Sequence, residues 1–257
     1  MTETFADGRL ILTPGRIARL TLNAPASKNA ISRAMWTALP DIAARLTDSD
    51  TRVLIVTGAG GAFSAGADIS EFEQTYATPD SAAATNATVR AGQQAIRDLP
   101  FPVIAQIEGP CVGGGCGLAL SCDLRFAADS AFFAITPAKL GIAYSAADTW
   151  ALMEKVGPAR AKDILFSARR LPATEALSIG LIDRALPADH LASDTDTYAE
   201  TLADLSPASH RVTKAMINAL SSPPDTTTLT PGFDALFTGP DFAEGRRAFL
   251  AKRKPAF

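Results

Sequence analysis

Two glycine-rich segments constrain this chain more than any other feature, because each sits between a strand-like run and a helix-like pattern. The first, Phe63-Ser64-Ala65-Gly66-Ala67-Asp68-Ile69, comes after the β-branched run Val53 to Thr57 and the turn Gly58-Ala59-Gly60-Gly61. The second, Gly109-Pro110-Cys111-Val112-Gly113-Gly114-Gly115-Cys116-Gly117, comes after Val103 to Ile107 and before a helical stretch at Leu118 to Cys122. Strand, loop and helix in repeated succession predict a mostly parallel sheet covered by helices. In open sheets of this class ligands bind beyond the carboxyl ends of the strands. Small residues let the backbone approach a ligand, and a helix start leaves free N–H groups. Two such loops side by side could aim two N–H groups at one oxygen.

The remaining pattern extends the same reading. Arg16 to Leu22 alternates polar and apolar residues as a half-buried strand does. Ser32 is placed to cap a helix carrying Met35, Leu39, Ile42 and Leu46, with Pro40 as a potential break. Val89, Gly92, Ile96 and Leu99 mark a helix that stops at Pro100. Leu124 to Ala127 and Phe132 to Thr136 read as further short strands. From Ala188 onward only helices are expected, with breaks near Ser206-Pro207, Ser222-Pro223-Pro224 and Gly239-Pro240. The expected division is an α/β core over residues 1–190 and a helical region over 191–257.

Composition narrows the function classes. With 47% hydrophobic and 20% charged residues the chain is globular rather than disordered. A net charge of −3 and no long basic run make nucleic acid a poor partner. No apolar run is long enough to span a bilayer, and Met1 to Arg9 does not resemble a signal peptide. Two His and three Cys, without Cys-x-x-Cys spacing, give no metal site. Cys111, Cys116 and Cys122 read as reduced, partly buried thiols, which fits a cytoplasmic protein. The second glycine loop lacks the Gly-Lys-Ser/Thr of a nucleotide phosphate loop. His190 and His210 read as surface or packing residues, and Asp68 and Asp123 as local caps.

Together these pieces resemble the enoyl-CoA hydratase/isomerase (crotonase) family. The matching segments are Lys28-Asn29-Ala30, the Phe-Ser-Ala-Gly-Ala-Asp-Ile loop, Pro102-Val103-Ile104-Ala105, the Gly-Gly-Gly-Cys turn and Ser121-Cys122-Asp123. They continue with Thr136-Pro137 through Leu140-Gly141-Ile142, Glu175-Ala176 through Gly180-Leu181-Ile182, and Phe249 through Lys252-Arg253-Lys254. The resemblance implies a crotonase-like spiral of βαβ units with a C-terminal helical region. It also implies an acyl-CoA substrate, with coenzyme A entering as part of the thioester and no separate cofactor. The N–H groups of Ala67 and Gly114 would hold the thioester oxygen. Lys28, Ala65, Asp68, Ile69, Phe249 and Lys252 would contact CoA, and the chain would assemble as a homotrimer or dimer of trimers.

The family's hydratases use two glutamates, and here those places hold Gly117 and Ala138. Neither residue can move a proton, so hydration by the usual route is not expected. The stretch Gly141 to Asp148 resembles that of the family's methylmalonyl-CoA decarboxylases, with Tyr144 in place of a tyrosine that orients the substrate carboxylate. A lyase that decarboxylates a small 2-substituted malonyl-CoA is the first expectation. A hydratase or isomerase with a displaced acid, Asp148, is the second, and a non-catalytic CoA-binding protein the third.

Overall fold

A computed structural model describes residues 1–221 and 234–256. The chain opens with β1 (Glu3–Phe5), β2 (Leu10–Thr13) and β3 (Ile17–Leu22), an antiparallel meander. Helix α1 (Arg33–Thr47) then returns the chain to β4 (Val53–Gly58), which pairs parallel with β3. A short α2 (Phe72–Thr75) and the long α3 (Pro79–Arg97) lead to β5 (Val103–Ile107). After β6 (Pro110–Val112) come α4 (Gly114–Ser121), β7 (Leu124–Ala128) and β8 (Phe132–Ala134). Next are α5 (Ala146–Val156), α6 (Pro158–Ser167), β9 (Arg170–Pro172), α7 (Ala173–Ser178) and β10 (Arg184–Leu186). Helices α8 (Leu191–Asp204), α9 (Pro207–Leu220) and a C-terminal helix (Pro240–Leu250) complete it.

The strands form a seven-stranded sheet, β1-β2-β3-β4-β5-β7-β10, parallel from β3 onward. A second sheet of three strands, β6-β8-β9, stands apart from it. The first five residues of β4 and all of β5 are buried, as expected of strands covered on both faces. Helix α8 lies on β3, β4, β5 and β7, so the helical region packs onto the core of its own chain. The C-terminal helix packs on the 3-10 turn Pro137–Leu140, where Phe242 joins Phe72, Tyr76 and Phe237 in an aromatic cluster.

Several expectations match to within a residue or two, including Ser32, whose side chain accepts from the Met35 N–H. Pro40 does not break α1. An interior proline costs about 3 kcal/mol. Met35, Trp36, Leu39, Ile42 and Leu46 are all buried on that helix, each contributing about 1.5–3 kcal/mol. Burial wins. Two other expectations need correction: Phe132 to Thr136 is strand only to Ala134 and belongs to the second sheet, and α4 begins at Gly114, four residues before its apolar run. The breaks at Ser206-Pro207 and Gly239-Pro240 each start a helix, while Ser222-Pro223-Pro224 lies outside the described residues.

Candidate active site

The first glycine loop is held by a buried side chain. Asn29, wholly inaccessible, accepts from the Ala24 N–H at 2.8 Å and donates to the carbonyls of Ala59 (2.8 Å) and Ala62 (2.7 Å). Ser64 donates to the Asn29 carbonyl at 2.8 Å and accepts the Gly66 N–H at 3.1 Å. The Ser64 and Val112 backbones then join the two loops through Val112 N–H to Ser64 O at 2.9 Å. Gly66, at φ +101°, allows close contact, since a β-carbon there would lie 2.9 Å from the Val112 carbonyl oxygen.

This scaffold brings the two predicted amides together. A β-carbon at Gly114 would stand 3.6 Å from the Ala67 nitrogen, and one at Gly66 would stand 3.6 Å from the Gly114 nitrogen. Gly114 is the first residue of α4, so its N–H has no acceptor within the helix. Among the described residues, the Ala67 N–H has no acceptor either, although its neighbours Ile31, Gly66 and Asp68 are all hydrogen-bonded. Both amides border one cavity of about 150 Å³.

Tyr144 and Asp148 border the same cavity. Ser145 caps α5, accepting the Asp148 N–H at 3.0 Å and donating its hydroxyl to Asp148 Oδ2 at 2.7 Å. Gln93 on α3 donates to Asp148 Oδ1 at 2.9 Å. Burial pushes the Asp148 carboxyl above the usual carboxylate range, against the lowering effect of the Ser145 and Gln93 hydrogen bonds and the Arg97 charge. The Tyr144 hydroxyl donates to the Gly113 carbonyl at 3.2 Å; burial, with Asp148 nearby, pushes its titration well up.

Gly117 explains why these groups meet. A β-carbon on it would lie 2.4 Å from Gln93 Nε2, 2.9 Å from Asp148 Oδ1 and 3.3 Å from the Tyr144 hydroxyl. The space where a side chain at 117 would begin is therefore filled by Gln93, Asp148 and Tyr144. A carboxyl from α5 stands where one from α4 is lacking.

Of the remaining predicted contacts, Ala65 and Ile69 border the cavity. Asp68 instead caps the turn after it, accepting from Ser70 N–H (3.2 Å) and Ser70 hydroxyl (2.6 Å), and pairs with Arg9 at 3.3 Å. Lys28, Phe249 and Lys252 are exposed and lie outside the cavity lining. Asp123 accepts from Val103 N–H and pairs with Lys214, both at 2.8 Å, which is a structural role. The three thiols are unpaired and buried; burial raises Cys111 and pushes Cys122 to about 12, so neither is a ready thiolate. No metal-binding cluster occurs among the described residues. Sequence reading missed Gln93, a polar residue between the apolar positions Gly92 and Ile96. A buried polar group on a helix's packing face is the signal that could have found it.

This architecture is that of an α/β protein with two backbone amides and a buried carboxyl around one cavity. Residues 13–257 match the family model described as enoyl-CoA hydratase/isomerase, and the chain belongs to that family. A probable enoyl-CoA hydratase from Mycobacterium bovis is 33% identical over 251 residues, covering 94% of each chain. A crystal structure of a putative enoyl-CoA hydratase/isomerase family protein from Hyphomonas neptunium is 42% identical, covers 97% of both chains and has a TM-score of 0.81. A methylmalonyl-CoA decarboxylase in complex with 2-nitronate-propionyl-CoA is 25% identical, with a TM-score of 0.85 over 97% of this chain and 98% of that one.

Proposed function

We infer that this enzyme forms a thioester enolate between the Ala67 and Gly114 amides and moves a proton with Asp148, shifting a double bond along an enoyl-CoA chain. The observation that carries the reading is the Asp148 carboxyl filling the space left by Gly117 in the cavity bordered by both amides. In the forward direction the carboxylate takes a proton from C2 of a 3-enoyl thioester. The electron pair moves onto the thioester oxygen, where each well-aimed amide contributes about 3–4 kcal/mol in the transition state. The carboxylic acid then returns the proton at C4 as the enolate collapses, leaving the double bond between C2 and C3. One carboxyl serves both steps. Hydration by the family's usual route engages two, and Ala138 offers no second one. Each Asp148 oxygen accepts one hydrogen bond and keeps a lone pair for this work. Its raised pKa brings it closer to that of a useful base at neutral pH.

Decarboxylation of a 2-substituted malonyl-CoA is the second reading, favoured by the fold-wide similarity to methylmalonyl-CoA decarboxylase. It needs no base. It does need a donor for the substrate carboxylate, and the single Tyr144 proton is engaged by the Gly113 carbonyl. The test is product analysis by mass spectrometry and NMR with 3-enoyl-, crotonyl- and methylmalonyl-CoA, for the wild type and Asp148→Asn. Isomerisation that falls by about 10²-fold or more in Asp148→Asn is expected. Loss of carbon dioxide that survives Asp148→Asn would overturn the proton-transfer reading.

Self-association as a homotrimer or dimer of trimers is part of the same proposal. It is supported by α9, which buries none of its residues and exposes Val212, Met216, Ile217 and Leu220. Sedimentation velocity tests it, and a monomer at assay concentration would refute it.

A further inference from the structure

Helix α3 supplies one wall of the cavity through Asn86, Val89 and Arg90, and Gln93 follows on the same helix face. Two of the polar groups on that face have partners. Asn86 donates to Asp234 at 2.9 Å and Gln93 donates to Asp148. Arg90 differs: it has no hydrogen bond, ion pair or ring contact among the described residues. It is also the one Lys or Arg among the described residues of the cavity lining.

That isolation has a chemical consequence. A guanidinium stays charged at any working pH. Half-buried beside an otherwise largely apolar cavity, it depends on water for compensation. An uncharged acyl chain entering the cavity strips that water and returns nothing. A carboxylate at the far end of the chain replaces the water with a bidentate, charge-assisted pair. Arg90 also stands three residues before Gln93, about 4.5 Å along the helix axis. The anion would therefore sit one turn away from the Gln93–Asp148 pair, and the two negative groups need not share a position.

We propose that Arg90 selects acyl-CoA thioesters whose short acyl chain ends in a carboxylate, so that the substrates are CoA thioesters of dicarboxylic acids. The proposal rests on the acyl-CoA reading of the cavity and adds the charge of the acyl terminus.

Calorimetric titration with saturated thioesters tests binding apart from turnover. Glutaryl-CoA, butyryl-CoA and free CoA are titrated into wild-type protein, Arg90→Met and Arg90→Lys, each checked for folding by circular dichroism. The wild type is expected to bind glutaryl-CoA at least about tenfold more tightly than butyryl-CoA. Arg90→Met removes that preference and leaves butyryl-CoA and CoA within about twofold of wild type, while Arg90→Lys keeps part of it. Equal or tighter binding of butyryl-CoA by the wild type overturns the proposal. So does an Arg90→Met protein that loses affinity for free CoA and both thioesters alike, which would place Arg90 against the nucleotide phosphates. If no thioester and no CoA binds, the acyl-CoA reading fails first and the selectivity falls with it.

Discussion

Substituting Gly117 by alanine adds a single methyl group, and the structure states what that methyl meets. It would lie 2.4 Å from Gln93 Nε2 and 2.9 Å from Asp148 Oδ1, where ordinary contact begins near 3.4 Å. Gln93 must therefore retreat by about 1 Å and Asp148 by about half as much. Both atoms are the ends of side chains, so the fold accommodates them and the active geometry absorbs the change. A misplacement of about 1 Å can cost about 10²-fold in rate, equivalent to about 2.7 kcal/mol of activation free energy. The expected result for Gly117→Ala is a kcat lowered by about that factor, with urea stability within about 1 kcal/mol of wild type. The assay follows the absorbance gained when the double bond of a 3-enoyl-CoA comes into conjugation with the thioester. The loss should act through Asp148, so Gly117→Ala in an Asp148→Asn background should add less than about twofold. A Gly117→Ala enzyme with unchanged kcat would refute the assignment of this cluster, as would a full additional loss in the double variant.

Four further outcomes follow from the same geometry. The kcat should rise as pH rises through the elevated pKa of Asp148, because the base is the carboxylate; this limb of the pH–rate profile should vanish in Asp148→Asn. Stability carries the opposite sign, since a carboxyl raised above its unfolded value is buried at least cost when protonated. Asp148→Asn should therefore be at least as stable as wild type at neutral pH, with its advantage shrinking as pH falls through that pKa in thermal unfolding. Asn29→Ala strands one donor and two carbonyls and should cost about 3 kcal/mol or more in urea unfolding. Gly66→Ala places a methyl 2.9 Å from the Val112 carbonyl at φ +101°, forcing the two loops apart; single-turnover kcat should drop by about 10²-fold or more.

The two glycine-rich loops were legible because glycine clusters flanked by strand and helix patterns are local signals. The parallel strands β4 and β5 were legible for the same reason, as short β-branched runs. Strands β1, β2, β6, β9 and β10 were not. Each has three or four residues, too few for a periodicity, and their pairing comes from contacts distant in sequence. Asp148 could be named from the sequence as an acid within reach, but not its setting. Its neighbours Gln93, Gly117 and Tyr144 come from α3, α4 and the loop before α5, and only tertiary packing brings them together. Arg90 gave no sequence signal at all, because a lone arginine on an amphipathic helix is ordinarily a solvated charge.

On the proposed mechanism, the part that steadies charge lies apart from the part that ferries hydrogen, whose carboxyl is rooted in α5. The two glycine-rich loops are braced by Asn29 and Ser64, whereas the acid hangs from the segment 141–148 that caps its own helix. Changes in the length or sequence of that segment could retarget the proton from one carbon to another while leaving the grip on the thioester intact.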